Sequence, residues 1–129
     1  MSKPAISELG EFLTAFAAAY EANDPVKITE FIYCPCMFFF QNECVLLDTK
    51  EKISEFVKTI LESYRANDCT RVKARPLNER QIGDSFALID AEWSLENGIG
   101  QQISQYWSTY NLVLDEGRWK VAMIMRRNQ

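Results

Sequence analysis

The side chains able to do chemistry here are four cysteines, five tyrosines and eighteen carboxylates; there is no histidine. That absence removes histidine-based nucleophilic triads, histidine general bases and most zinc sites. Cys34-Pro35-Cys36 is the densest thiol cluster. Strand alternation puts Cys34 and Cys36 on one side, with Cys44 able to approach from a hairpin partner. A metal would need a fourth ligand that the spacing does not supply, so no metal and no cofactor is expected. No neighbouring cation is evident to lower a thiol pKa, so the cysteines read as inert, reduced thiols. Among the acids, Asp90 and Glu92 are the pair whose placement matters, because they sit mid-strand in the second half. Tyr20, Tyr106 and Tyr110 are phenols on otherwise apolar faces, and a buried phenol needs a hydrogen-bond partner.

Helices must carry some of these groups and strands the others. From Ile6 to Ala22 the apolar residues Ile6, Leu9, Phe12, Leu13, Phe16, Ala17 and Tyr20 recur on one helical face. Asn23-Asp24-Pro25 ends that helix and opens a short one to about Phe31, with Asp24 as cap and Pro25 at the first helical position. Tyr33–Phe40 reads as extended, Gln41-Asn42-Glu43 as a turn, and Cys44–Leu47 as the returning hairpin arm. Asp48 and Glu51 have capping-box spacing and predict a third helix to about Asn67. Its buried face reads Ile53, Phe56, Val57, Ile60, Leu61 and Tyr64.

After Asp68 the period becomes two. Segments 71–82, 86–96, 99–114 and 118–126 are of strand length, separated by Gly83-Asp84, Asn97-Gly98 and Asp115-Glu116-Gly117. Short connections make them an antiparallel four-stranded meander. Helices followed by a meander predict an α+β fold in one domain spanning residues 1–129. Alternation puts Ile89, Ala91, Trp93 and Leu95 inward, with Asp90, Glu92 and Ser94 outward. Tyr106, Tyr110, Leu112 and Leu114 form the next inward row; Trp119, Val121, Met123 and Met125 form the last. Arg71, Lys73 and Arg75 are placed to pair with Asp90 and Glu92 on a solvated outer face. A register shift of one would turn both acids inward. Phe86, Trp107 and Ile124 fall on the outer row, where apolar residues suit an interface.

The net charge of −4 and pI near 4.9 argue against nucleic-acid or anionic-membrane partners. No apolar run is long enough to span a bilayer and the first residues lack a signal-peptide core, so a cytoplasmic protein is expected.

The order of these elements resembles the nuclear-transport-factor-2-like, or cystatin-like, superfamily. The residues that carry the likeness are AAAYEANDPVKITEFIY in the first helices and STYNLVLDEGRWKVAMI in the closing hairpin. The resemblance implies a curved sheet wrapped on helices, an apolar pocket between them, and pairing of sheet faces in a homodimer. It also supplies chemistries to test. The carboxylate base of ketosteroid isomerase falls by position on Phe39 or Phe40. Its first-helix donor falls on Phe16 and its strand acid near Tyr110, so that activity is not expected. Dehydratase-like members that rely on histidine are excluded. SnoaL-like cyclases need an acid in the pocket, which an inward Asp90 or Glu92 would provide. The resemblance therefore implies a non-catalytic binding or scaffold domain, with a SnoaL-like cyclase, hydratase or isomerase as the alternative and a partner-binding adaptor as a third. The expected lining is Phe12, Phe16, Tyr20, Tyr33, Phe38, Phe40, Trp93, Tyr106 and Tyr110, around a small hydrophobic ligand.

Overall fold

The computed structural model describes residues 8–128, so Ile6, expected in the first helix, lies outside the described residues. Three helices, α1 (Glu8–Glu21), α2 (Pro25–Glu30) and α3 (Lys50–Ala66), pack against a six-stranded sheet. Its strands are β1 (Ile32–Phe40), β2 (Glu43–Leu47), β3 (Cys69–Ile82), β4 (Phe86–Asn97), β5 (Gln102–Asp115) and β6 (Arg118–Arg127). The order across the sheet is β2-β1-β6-β5-β4-β3. β3 to β6 form the expected antiparallel meander. The hairpin does not stand apart, because β1 pairs parallel to β6 and joins the two halves into one mixed sheet. A single cluster of buried residues draws on all nine described elements.

Local chemistry explains the helix ends. Asp24 caps α2, its carboxylate accepting from the Lys27 amide at 3.1 Å, and Pro25 occupies the first turn. At α3 the expected capping box does not form. Thr49 is the cap, accepting from the Lys52 amide, while Asp48 pairs with the Lys52 ammonium at 2.9 Å. A side chain one residue closer to the first turn reaches its amide, and Asp48 turns to the Lys52 side chain instead. The β4–β5 turn is held by Asn97, whose side-chain oxygen accepts from the amides of Ile99 and Gln101, so β5 begins at Gln102 rather than Ile99. α1 is tied to the sheet by Glu21, which accepts from the Val72 amide at 2.9 Å.

The face assignment of β4 holds. Ile89, Ala91, Trp93 and Leu95 are buried. Asp90 accepts from the Thr109 hydroxyl at 2.6 Å, and Glu92 is bound by Arg75 and Gln105. Lys73 pairs with Glu96 instead. Leu114 departs from its expected inward row: near the turn, where the sheet ends, it stays 39% exposed.

β6 departs further, and the reason is a β-bulge. Leu112 pairs with Val121 but Asn111 pairs with Met123, so Ala122 is an extra residue on β6. One extra residue moves every later side chain to the other face. Trp119 and Val121 keep their expected side, but beyond the bulge Ile124 (5% exposed) faces the core and Met125 (48% exposed) faces out. Ile124 is thus removed from the outer interface row, and Arg126 is brought inside.

Candidate functional site

The interior runs between two differently furnished ends. At one, Phe12 stacks on Phe16 with ring centres 5.4 Å apart, and Phe31 packs on both at 5.7 and 5.5 Å. Helical spacing on α1 supplies the first two rings and the end of α2 the third. Phe16 then meets Trp93 edge-on at 6.0 Å and Tyr110 at 5.8 Å.

Toward the other end the rings acquire polar tips. Trp93 and Tyr106, directly opposed on β4 and β5, stack almost parallel at 5.9 Å. Tyr20 meets both Trp93 and Tyr64. The phenols of Tyr64 and Tyr106 share a hydrogen bond of 3.3 Å. The Arg126 guanidinium lies 3.8 Å from the Tyr106 ring centre and 5.4 Å from that of Phe40, a cation–π arrangement. Its position follows from register, since Arg126 is opposite Ser108 on one side and Phe40 on the other.

Burial dominates the electrostatics. It pushes the phenol of Tyr20 far above its ordinary value, and that of Tyr64 likewise, with Tyr106 adding to both effects. Burial raises Tyr106 too, opposed by the Arg126 charge, and raises Tyr110, only partly offset by the adjacent Ser108 hydroxyl. All four phenols are therefore neutral near pH 7 and can donate. Trp93 Nε1 and Arg126 Nε are buried without a hydrogen-bond partner, as is Trp119 Nε1 beside Phe12 and Phe31 at the other end.

The space between these groups is small. An internal cavity of about 20 Å³, bordered by Tyr20, Trp93, Tyr106, Ser108, Tyr110 and Arg126 among others, is enough for a water. Beside it, between the second half of α3 and the ends of β4 and β5, a groove of about 380 Å³ opens. Ile60, Tyr64 and Arg126 belong to both spaces, and Ser63, Asn67, Ile103 and Ser104 complete much of the groove. Among the described residues no Asp or Glu lines either space.

Of the residues anticipated from sequence, Phe16, Tyr20, Phe38, Trp93, Tyr106 and Tyr110 border the internal cavity. Phe40 contributes its face to Arg126. Phe12 packs in the opposite end, and Tyr33 lines a separate groove with Lys50, Asp115 and Lys120. Tyr64 and Arg126 escaped sequence reasoning as site residues. The Tyr64 phenol on a buried helix face was a usable signal; the inward turn of Arg126 was hidden by the bulge. The cysteines do not assemble. Cys36 is buried opposite Leu47, and Cys44 is opposite Phe39, three residues along and on the other side of the pleat. Burial pushes the Cys36 thiol up to about 12, away from reactivity. All four cysteines are free, and among the described residues no cluster of three acids, thiols or imidazoles is placed to hold a metal. No helix among the described residues is long and apolar enough to cross a membrane.

Comparison with solved structures finds the same architecture at low identity. An NTF-2-like protein of unknown function from Shewanella oneidensis MR-1 superposes with a TM-score of 0.75 at 11% identity, over 92% of this chain and 95% of that one. A ketosteroid isomerase-like protein from Erwinia carotovora atroseptica SCRI1043 gives 0.72 at 11%, over 97% and 96%. A putative calcium/calmodulin-dependent protein kinase II association domain from Xanthomonas campestris gives 0.69 at 16%, over 100% and 93%. No curated protein matches the sequence. Residues 7–129 match the family described as NTF2-like protein (DUF6841), and the chain belongs to that family.

Proposed function

We propose that this chain is a non-catalytic binding domain, which takes a small, largely apolar molecule at the arginine end of its interior and pairs through the outer sheet face. The observation that carries this reading is the composition of the site: neutral phenols, an indole N–H and a guanidinium, with no carboxylate among the described residues lining either space. Proton abstraction next to a carbonyl requires a base within hydrogen-bond reach. The position that would hold one by resemblance to ketosteroid isomerase is Phe39 or Phe40. Asp90 and Glu92, the acids a cyclase would recruit, are engaged on the outer face. Dimerisation draws support from that face as well. Phe86 is 56% exposed, and it borders an apolar groove with Ile82, Val113 and Met123.

Native mass spectrometry of gently purified protein, followed by denaturing analysis, tests the reading. A dimer carrying a discrete, largely apolar small molecule is the expected result. A protein that carries none and also takes up no hydrophobic probe contradicts it.

A further inference from the structure

We propose that the groove at the arginine end selects an organic monoanion, a carboxylate on a short apolar or aryl tail, with Arg126 as its counter-ion. This rests on the binding reading above and adds the chemical class of the ligand.

The argument starts from an imbalance. Among the described residues, no carboxylate is ion-paired with Arg126, and none lines the spaces it borders. Arg126 is half-buried and its Nε is shut off from water, and a buried donor is costly unless its hydrogen bond is met. The face of this one is covered by Tyr106 at 3.8 Å. Stacking leaves the in-plane edge as the direction for recognition, and it is that edge which matches a carboxylate through two parallel hydrogen bonds. One of its donors, Nε, has no partner.

The surroundings narrow the class further. Among the described residues Arg126 is the only cationic side chain on the groove, so one negative charge is balanced where a dianion would not be. The Ser104 hydroxyl, and the Asn67 amide nitrogen with the hydrogen not given to the Ser63 carbonyl at 2.8 Å, add polar donors to the lining. Ile60, Leu95 and Ile103 offer hydrocarbon for the tail, and a volume of about 380 Å³ suits a molecule of small-metabolite size. An inert outer-face arginine does not explain these features, because the bulge at Ala122 is what turns the residue inward.

Isothermal titration of the whole protein with 3-phenylpropionate and with its neutral counterpart 3-phenylpropanamide separates the possibilities. The acid should bind roughly tenfold or more tightly than the amide, as for a hydrogen-bonded charged pair, and only the acid should weaken as salt is raised. Arg126→Met should weaken the acid far more than the amide, bringing the two affinities to within about twofold of each other. Arg126→Lys retains the charge with less change to the fold; it should keep some preference but lose the part due to two-point contact. Equal binding of acid and amide, or a preference that survives Arg126→Met, overturns the charge assignment alone. Failure of both compounds to bind overturns the binding reading and this inference with it.

Discussion

The phenylalanine end and the arginine end of the interior use the same kind of residue for different purposes. Phe12, Phe16 and Phe31 meet ring against ring, and none of the three carries a polar side-chain atom. At the other end Tyr64, Tyr106 and Arg126 retain the ring packing but add groups whose hydrogen bonds must be found. Aromatic area stabilises both ends. Each end keeps a buried indole N–H without a partner, Trp119 at the first and Trp93 at the second; among the described residues the second adds an unpartnered guanidinium N–H, on Arg126. The difference teaches that ring packing is indifferent to what the rings carry, and that a cation among hydroxyls, rather than aromatic area or an orphaned indole, sets the second end apart.

Alkaline pH should break the comparison most strongly. Tyr20, Tyr64, Tyr106 and Tyr110 have raised folded-state values, as does Cys36 at about 12, whereas the phenylalanines do not titrate. Below the unfolded-state values near 9.0 for Cys36 and 10.0 for the phenols, both states hold these protons and stability is unaffected. Above them the unfolded chain binds fewer protons, so stability falls until each folded value is passed, by about 1.4 kcal/mol per pH unit for each group. Urea unfolding followed from pH 7 upward should show that decline, and tyrosinate absorbance should rise together with unfolding. Tyrosinate appearing at its ordinary pH in folded protein would contradict the burial of these phenols.

Phe16→Ala comes next. It removes the ring that touches Phe12, Tyr20, Phe31, Trp93 and Tyr110, and should cost about 3–5 kcal/mol in urea unfolding. Tyr64→Phe sharpens the contrast at the other end. It keeps the ring and deletes one hydroxyl of the Tyr64–Tyr106 pair, a cost of about 1 kcal/mol by the same measurement. Smallest is Arg75→Ala on the outer face, where the ion pair with Glu92 involves an exposed guanidinium; about 0.5 kcal/mol or less is expected.

Most of the frame was legible because its signals are local. The α1 face, the Asp24-Pro25 start of α2 and the alternation of β4 each follow from neighbours a few residues apart. The parallel union of β1 with β6 was not legible, since it joins segments about 85 residues apart and no periodicity encodes a partner. The bulge at Ala122 was hidden for a different reason. Bulges often carry glycine, and here strict alternation reads smoothly through Val121, Met123 and Met125. That single inserted residue misplaced Ile124 on the outer face and concealed Arg126. Phe16, Trp93, Tyr106 and Tyr110 were legible as inward-facing because they lie before it or on other strands; the inward turn of Arg126 was not, because it lies after.

The most direct test of the account is to titrate isotope-labelled protein with 3-phenylpropionate and 3-phenylpropanamide while recording amide chemical shifts. Saturable shifts concentrated at Ile60, Tyr64, Asn67, Ser104 and Arg126 are the predicted result for at least the acid. Shifts centred instead on Phe86, Val113 and Met123 of the outer face, or no saturable shift with either compound, would contradict the assignment of the binding site to the arginine end.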